Sequence, residues 1–158
     1  LRILKTAVYP AHTVFKSDSI LVNRDRSQDD LYVVTTLRME DRLNLPLFIK
    51  DFTATLVTAD GEKIETSAVQ KQEFENLYTS FPALRPLASE PLLRDTLIDS
   101  GKAAEGMVLL HFPVSEEVWA HRRSATLHVA LYHQGRVSVA IPIGDHASSS
   151  KDEGTSEE

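Results

Sequence analysis

Apolar and polar positions alternate along much of the chain with a period of two. In LYVVTTLRM, residues 31–39, Leu31, Val33, Thr35, Leu37 and Met39 fall on one face and Tyr32, Val34, Thr36 and Arg38 on the other. That is the spacing of a strand, and the β-branched content favours the same state. Next comes a turn in NLPLFI, where Pro46 is unsuited to a central ladder position. DFTATLVTADGEKIETSA then predicts two strands joined at Asp60-Gly61, because glycine takes the positive φ that a tight hairpin requires. Further strands are predicted in GMVLLHFPV (106–114), ATLHVALYH (125–133) and RVSVAIPI (136–143), the last two joined at Gln134-Gly135. LRILKTAVYP and SDSILVN, near the start, supply one or two more.

The period changes in QKQEFENLYTSFPAL, where Phe74, Leu77, Tyr78 and Phe81 fall at i, i+3, i+4 and i+7, one face of a helix. Pro82 ends that helix by restricting Phe81 and removing a donor. The following LRPLASEPLLRDTLIDSGK contains Pro86 and Pro91, so it reads as an ordered excursion rather than a regular helix. SEEVWAHRR offers a serine cap followed by acids, which suits a single helical turn. About seven or eight strands with one short inserted helix predict an all-β fold, an immunoglobulin-like β-sandwich. Residues 1–143 are expected to form one domain and residues 144–158 a disordered acidic tail.

Charge and composition narrow the function classes. The chain has 158 residues, a net charge of -6 and no cysteine. It is long enough to bury a core without disulfides, and disulfide frameworks, thiolate metal sites and cysteine nucleophiles are excluded. The acidic balance argues against nucleic acid, whose binders need a basic footprint. Residues 144–158 hold five acids against Lys151, so the rest of the chain carries only -2. Such a tail, poor in apolar residues, cannot offset the cost of ordering. No apolar run approaches the roughly 18 residues that span a bilayer, so any signal or anchor is expected upstream of Leu1.

Taken in order, LYVVTTLRM, EDRLNLPLFI, DFTATLVTADGEK, the excursion and then LIDSGKAAEGMVLLHFP resemble the bacterial immunoglobulin-like sandwiches related to late-embryogenesis-abundant, water-stress-response domains. The resemblance covers roughly residues 28 to 143. It departs where that group often has asparagine, since Glu40-Asp41-Arg42 precedes Asn44 here. By this analogy Gly101 turns the chain, and Gly106 lets the strand that ends at Phe112-Pro113 enter the sheet edge without a side chain in the way. The resemblance implies an extracytoplasmic or membrane-tethered module without shared catalytic residues, and it carries over no site residue.

Candidate chemistry is sparse. His111, His121, His128 and His133 cluster in the last third and raise a metal site as a hypothesis. However, His128 and His133 face opposite sides of a strand and His111 shares a face with Met107 and Leu109, so surface or core packing is the expected role. Asp95 with Asp99, Glu116 with Glu117, and Glu40 with Asp41 are carboxylate pairs by spacing alone. No G-x-S-x-G elbow and no glycine-rich phosphate loop occurs.

The expected function is a non-catalytic binding or scaffolding module with no cofactor and no metal. Its partner is an unknown protein, with no nucleic acid, and a membrane is engaged only through a segment absent from this chain. Recognition would use the excursion or an exposed strand edge that adds a partner strand. Phe74, Tyr78, Phe81, Arg85 and Trp119 are the candidate binding residues. For the excursion, packing as a cap over an open end of the sandwich competes with a partner surface, and Trp119 as an end plug competes with a contact residue. The alternatives in other classes are a small metal-dependent hydrolase using clustered histidines and carboxylates, and a carrier holding an apolar ligand between the sheets.

Overall fold

The alternating segments pair into two sheets packed face to face. The computed structural model describes residues 1–16, 25–42 and 44–146. One sheet has the order β6 (Ala103–Phe112), β2 (Asp25–Glu40), β1 (Arg2–Lys16), β9 (Asp145–His146). The other has the order β4 (Lys63–Ser67), β3 (Leu47–Val57), β7 (Ser124–Leu131), β8 (Gly135–Ala140), with the short β5 (Leu97–Ile98) beside the start of β3. Neighbours are antiparallel except β9, which runs parallel to β1. The orders β1-β2-β6 and β4-β3-β7-β8 reproduce the A-B-E and C′-C-F-G sheets of an immunoglobulin-like sandwich. The chain is therefore an all-β sandwich with short helical insertions.

Inward residues of both sheets build the main core. Leu31, Val33 and Leu37 of β2 meet Phe52, Ala54 and Leu56 of β3, Leu110 and Phe112 of β6, and Leu127 and Val129 of β7. The strand spacing read from residues 31–39 sets this face as expected. Three expectations need adjusting. Leu47 to Lys50 belong to β3 rather than to a turn, with Leu47 and Ile49 buried and Pro46 just before the strand. The domain also continues beyond Ile143: Gly144, at φ +82°, lies against Thr6, and Asp145 and His146 then pair with Ala7 and Val8. Composition cannot register this pairing, which uses backbone groups alone. The rest of the expected acidic tail, and SDSILVN, lie outside the described residues.

The third adjustment concerns the excursion. It contains helix α1 (Phe74–Ser80), flanked by 3-10 turns at Lys71–Glu73 and Pro82–Leu87. It does not cap an end of the sandwich. Tyr78 and Leu84 pack instead against Ala11, Tyr32, Val34, Met107 and Leu109, the outward face of the β1-β2-β6 sheet. The reason lies in β2, where Leu31 through Thr35 are all buried. A strand apolar on both faces needs cover on both.

Returning from the sheet face, the chain passes along the edge of β6, the place of strand D in an immunoglobulin-like domain. Met107 donates its N–H to Glu90 and accepts one from Leu92, so this passage closes the edge. Gly106 permits the approach: a β-carbon there would lie 2.7 Å from the Leu92 nitrogen and 3.0 Å from the Glu90 oxygen. The expected role of Gly106 at a sheet edge thus has a physical cause. Gly106→Ala is expected to lower unfolding free energy by about 1–3 kcal/mol through this clash. A shifted urea midpoint at unchanged slope is the readout, and an unchanged midpoint would show that the passage does not need the glycine.

Candidate functional site

Unequal strand lengths create the largest described cavity. β2 pairs with β6 only up to the Leu31 and Phe112 partners, whereas it pairs with β1 as far as Asp25 and Lys16. Residues 25–30 of β2 therefore form, with β1, a two-stranded ribbon that projects about 20 Å beyond the end of β6. Along that stretch β2 has β1 on one side and, among the described residues, no strand on the other. β6 ends as a ladder strand because Val114 donates its N–H back to the Phe112 carbonyl instead of across to β2, and the chain turns away into helix α2 (Glu116–Ala120).

The ribbon, the β3-to-β4 turn and α2 are the walls of a groove of about 1060 Å³. On the ribbon, Asp29 receives a 2.6 Å hydrogen bond from His12 Nδ1 across the two strands. In the turn, Thr58 is buried. Its hydroxyl donates to the Asp60 carboxylate and accepts the Glu62 N–H at 3.0 Å. The Thr58 hydrogen bond, helped by the Glu62 amide, holds the Asp60 carboxyl below the usual range, so it stays ionised. On α2, Ser115 Oγ caps the helix by accepting the Val118 N–H at 3.2 Å, and His121 Nδ1 lies 3.0 Å from the Glu117 carbonyl. Ile64, Pro113, Val114 and Val118 supply apolar lining, while Asp29, Asp60, Glu62 and Glu117 outnumber the single lysine, Lys63.

The residues singled out from sequence fall in two other places. Phe74, Tyr78 and Phe81 join the layer over the outward sheet face, Tyr78 buried and the two phenylalanines half-buried. Phe81 meets Tyr9 and Tyr32 with ring centres 6.0 and 5.3 Å apart. Arg85 is exposed; its guanidinium lies 4.9 Å from the Tyr78 ring centre and pairs with Glu75. Trp119 is 0% exposed. Its ring packs on Phe112 in the main core, its indole N–H donates to the Ile143 carbonyl at 2.8 Å, and Arg122 covers it at 4.1 Å. Trp119→Ala is expected to destabilise the fold by about 3–5 kcal/mol, read from thermal or urea unfolding. A near-neutral result would contradict its place in the core.

Each described histidine discussed from sequence has separate surroundings. His111 Nε2 bonds Asp30 at 2.7 Å and stacks on Tyr32, while Gln28 donates to both Asp30 oxygens. His128 stands on the outward face of the second sheet between Ser138 Oγ at 2.7 Å and Thr55 Oγ1 at 3.0 Å. His133 sits in the β7-to-β8 turn at φ +67° rather than on the strand. His121 lies on the groove wall. Among the carboxylate pairs, Glu40 is held below the usual range by hydrogen bonds from Arg38 and Arg42, and Asp95 accepts from Tyr132 OH at 3.5 Å. Among the described residues no group of three or more His, Asp or Glu side chains is placed to hold a metal ion.

A second surface lies at the opposite end of the sandwich. Phe48, Leu97 and Tyr132 are exposed large apolar side chains around a smaller cleft also lined by Pro46, His133 and Gln134. Phe48 and Tyr132 meet edge to face at 5.0 Å. Among the described residues, the three non-glycine positions with positive φ, Asn44, Asp95 and His133, all occur in the segments that supply this end. Sequence reasoning missed both surfaces. The mismatch in strand length has no sequence signal, and Phe48 and Tyr132 come from different segments.

The chain matches no protein-family model, no curated protein and no solved structure. No helix among the described residues is long and apolar enough to cross a membrane.

His128, on the outward face of the second sheet, gives the stability of the fold a pH dependence. Burial first, and then the Arg136 charge, lower its pKa below the ordinary 6.5, against a smaller opposing effect of Glu65. The unfolded chain therefore takes up the proton before the folded one does, so the stabilisation is complete above 6.5 and declines as pH falls through 6.5 towards the folded value. His128→Gln is expected to flatten the loss of unfolding free energy between about pH 7 and pH 5. Parallel slopes for both proteins in urea titrations across that range would refute the assignment.

Proposed function

We propose that this chain is a non-catalytic binding module that takes a polypeptide segment of a partner protein in the groove beneath the β1-β2 ribbon. The observation that carries the reading is the edge of β2 along residues 25–30, which no strand among the described residues pairs with, set beside an open groove with apolar lining. An extended segment can add to such an edge through main-chain hydrogen bonds, while side-chain contacts with the groove supply selectivity.

The excursion is the weaker candidate for recognition, because its apolar side chains are used on the sheet it covers. The apolar cleft around Phe48, Leu97 and Tyr132 at the opposite end offers a second contact region, and a module with two separated contact regions suits scaffolding. An extracytoplasmic, membrane-tethered setting is part of the proposal on the strength of the family resemblance alone.

Ala59 is exposed in the β3-to-β4 turn and lines the groove, so Ala59→Trp narrows it without removing a core side chain. Selection from a random library of displayed peptides is expected to enrich sequences that bind the wild-type chain and fail on Ala59→Trp. Equal binding to both, or no enrichment, overturns the proposal.

A further inference from the structure

The chemistry of the groove restricts what can occupy it. Four carboxylates, Asp29, Asp60, Glu62 and Glu117, come from the ribbon, the turn and the helix, so negative charge lines every wall. Lys63 is the one lysine or arginine in the lining, and His121 is the one histidine. Asp29 has His12 as its partner across the ribbon, Asp60 lies in the field of the Arg123 guanidinium, which bonds the same turn at the Ala59 carbonyl, and the ion pairs found among the described residues leave Glu62 and Glu117 unmatched by a basic side chain within 4.0 Å. Between the carboxylates lie Ile64, Val114 and Val118. A purely cationic ligand would leave that apolar surface uncovered, and a purely apolar one would desolvate carboxylates without a counter-charge.

We infer that the groove takes an extended segment in which lysine or arginine residues are interspersed with apolar ones, laid against the free edge of β2. The inference rests on the groove being the binding surface proposed above and adds the chemistry of its occupant. A strand added along residues 25–30 turns every second side chain to the groove face. There an apolar side chain can cover Ile64 and Val118, while long basic side chains reach Glu62 and Glu117 at the rim and keep their stems against the apolar surface. Opposite charge also steers the encounter, so association weakens with added salt.

Three ten-residue peptides, with serine at every second position and valine alternating with lysine, with glutamate or with serine at the positions between, so that one face of the strand carries both residue types, test this against the full chain labelled with ¹⁵N. The lysine peptide is expected to shift the amides of Gln28, Asp29, Ile64 and Val118 saturably. Its affinity is expected to fall several-fold between low and 0.3 M salt, a concentration at which the Debye length is about 6 Å, and several-fold again in the Glu62→Gln, Glu117→Gln double variant. Both glutamates stand on turn or helix surfaces at the groove, so the variant is checked for an unchanged unfolding midpoint. Equal or tighter binding of the glutamate or serine peptide at the same amides overturns the basic occupant and leaves the groove reading standing. Shifts from the lysine peptide scattered over the acidic surface overturn it as unspecific attraction. Concentration-dependent shifts at these amides without peptide overturn it in favour of a second copy of the chain. If no peptide moves the groove amides, the inference and the groove reading fall together.

Discussion

Strand β2 must be buried on both faces, and most of the architecture follows from that requirement. Leu31, Val33 and Leu37 turn inward to the facing sheet, while Tyr32 and Val34 turn outward. A two-layer sandwich satisfies only the first set. The chain supplies a third layer by carrying α1 and its flanking 3-10 turns over the outward face, where Tyr78 and Leu84 complete a second core. Burial of such side chains contributes on the order of 1.5–3 kcal/mol each, so the excursion is part of the folding unit. Its return path then closes the edge of β6, and Gly106 is the residue that lets two backbones approach there.

The sequence made the inward face of β2, the Asp60-Gly61 turn, the helical face of α1 and the serine cap at Ser115 readable, because each rests on spacing within a few residues. The destination of the excursion was also partly written: Tyr32 and Val34 make the second face of β2 apolar opposite Leu31 and Val33, a signal of burial on both sides there. Reading the excursion as an end cap overlooked that second face. Trp119 illustrates a different limit. Its neighbours His121, Arg122 and Arg123 suggest a polar surface, yet Phe112 and the Ile143 carbonyl, distant in sequence, draw the indole into the core. The groove was least legible, since it arises from where β6 stops relative to β2, and register is a property of pairing rather than of either strand.

The stop itself has local causes that agree with one another. Val114 turns its N–H back to the Phe112 carbonyl instead of across to β2, Ser115 starts a helix, and Trp119 pins that helix to the core through Phe112 and Ile143. The helix then stands as a wall opposite the ribbon rather than lying across the exposed edge of β2. The contacts of Trp119 hold this wall in place before any partner arrives, which reduces the ordering cost of association. The only ordering left to pay for is that of the incoming segment and of the rim side chains.

A free strand edge is an aggregation hazard unless something discourages a second copy from using it. Asp29, Asp60, Glu62 and Glu117 serve that purpose here. A second copy approaching the groove with its own ribbon brings the same carboxylates, and like charges brought together in a partly desolvated cleft repel. The same carboxylates favour a segment of opposite charge. In the proposed binding mode one set of side chains would both repel a second copy of the chain and select a basic segment. This also accounts for placing the charge at the rim of the groove and the apolar side chains deeper in the lining. Asp29, Asp60, Glu62 and Glu117 are exposed and remain hydrated when the groove is empty, whereas Ile64 and Val118 are half-buried and Val114 is buried.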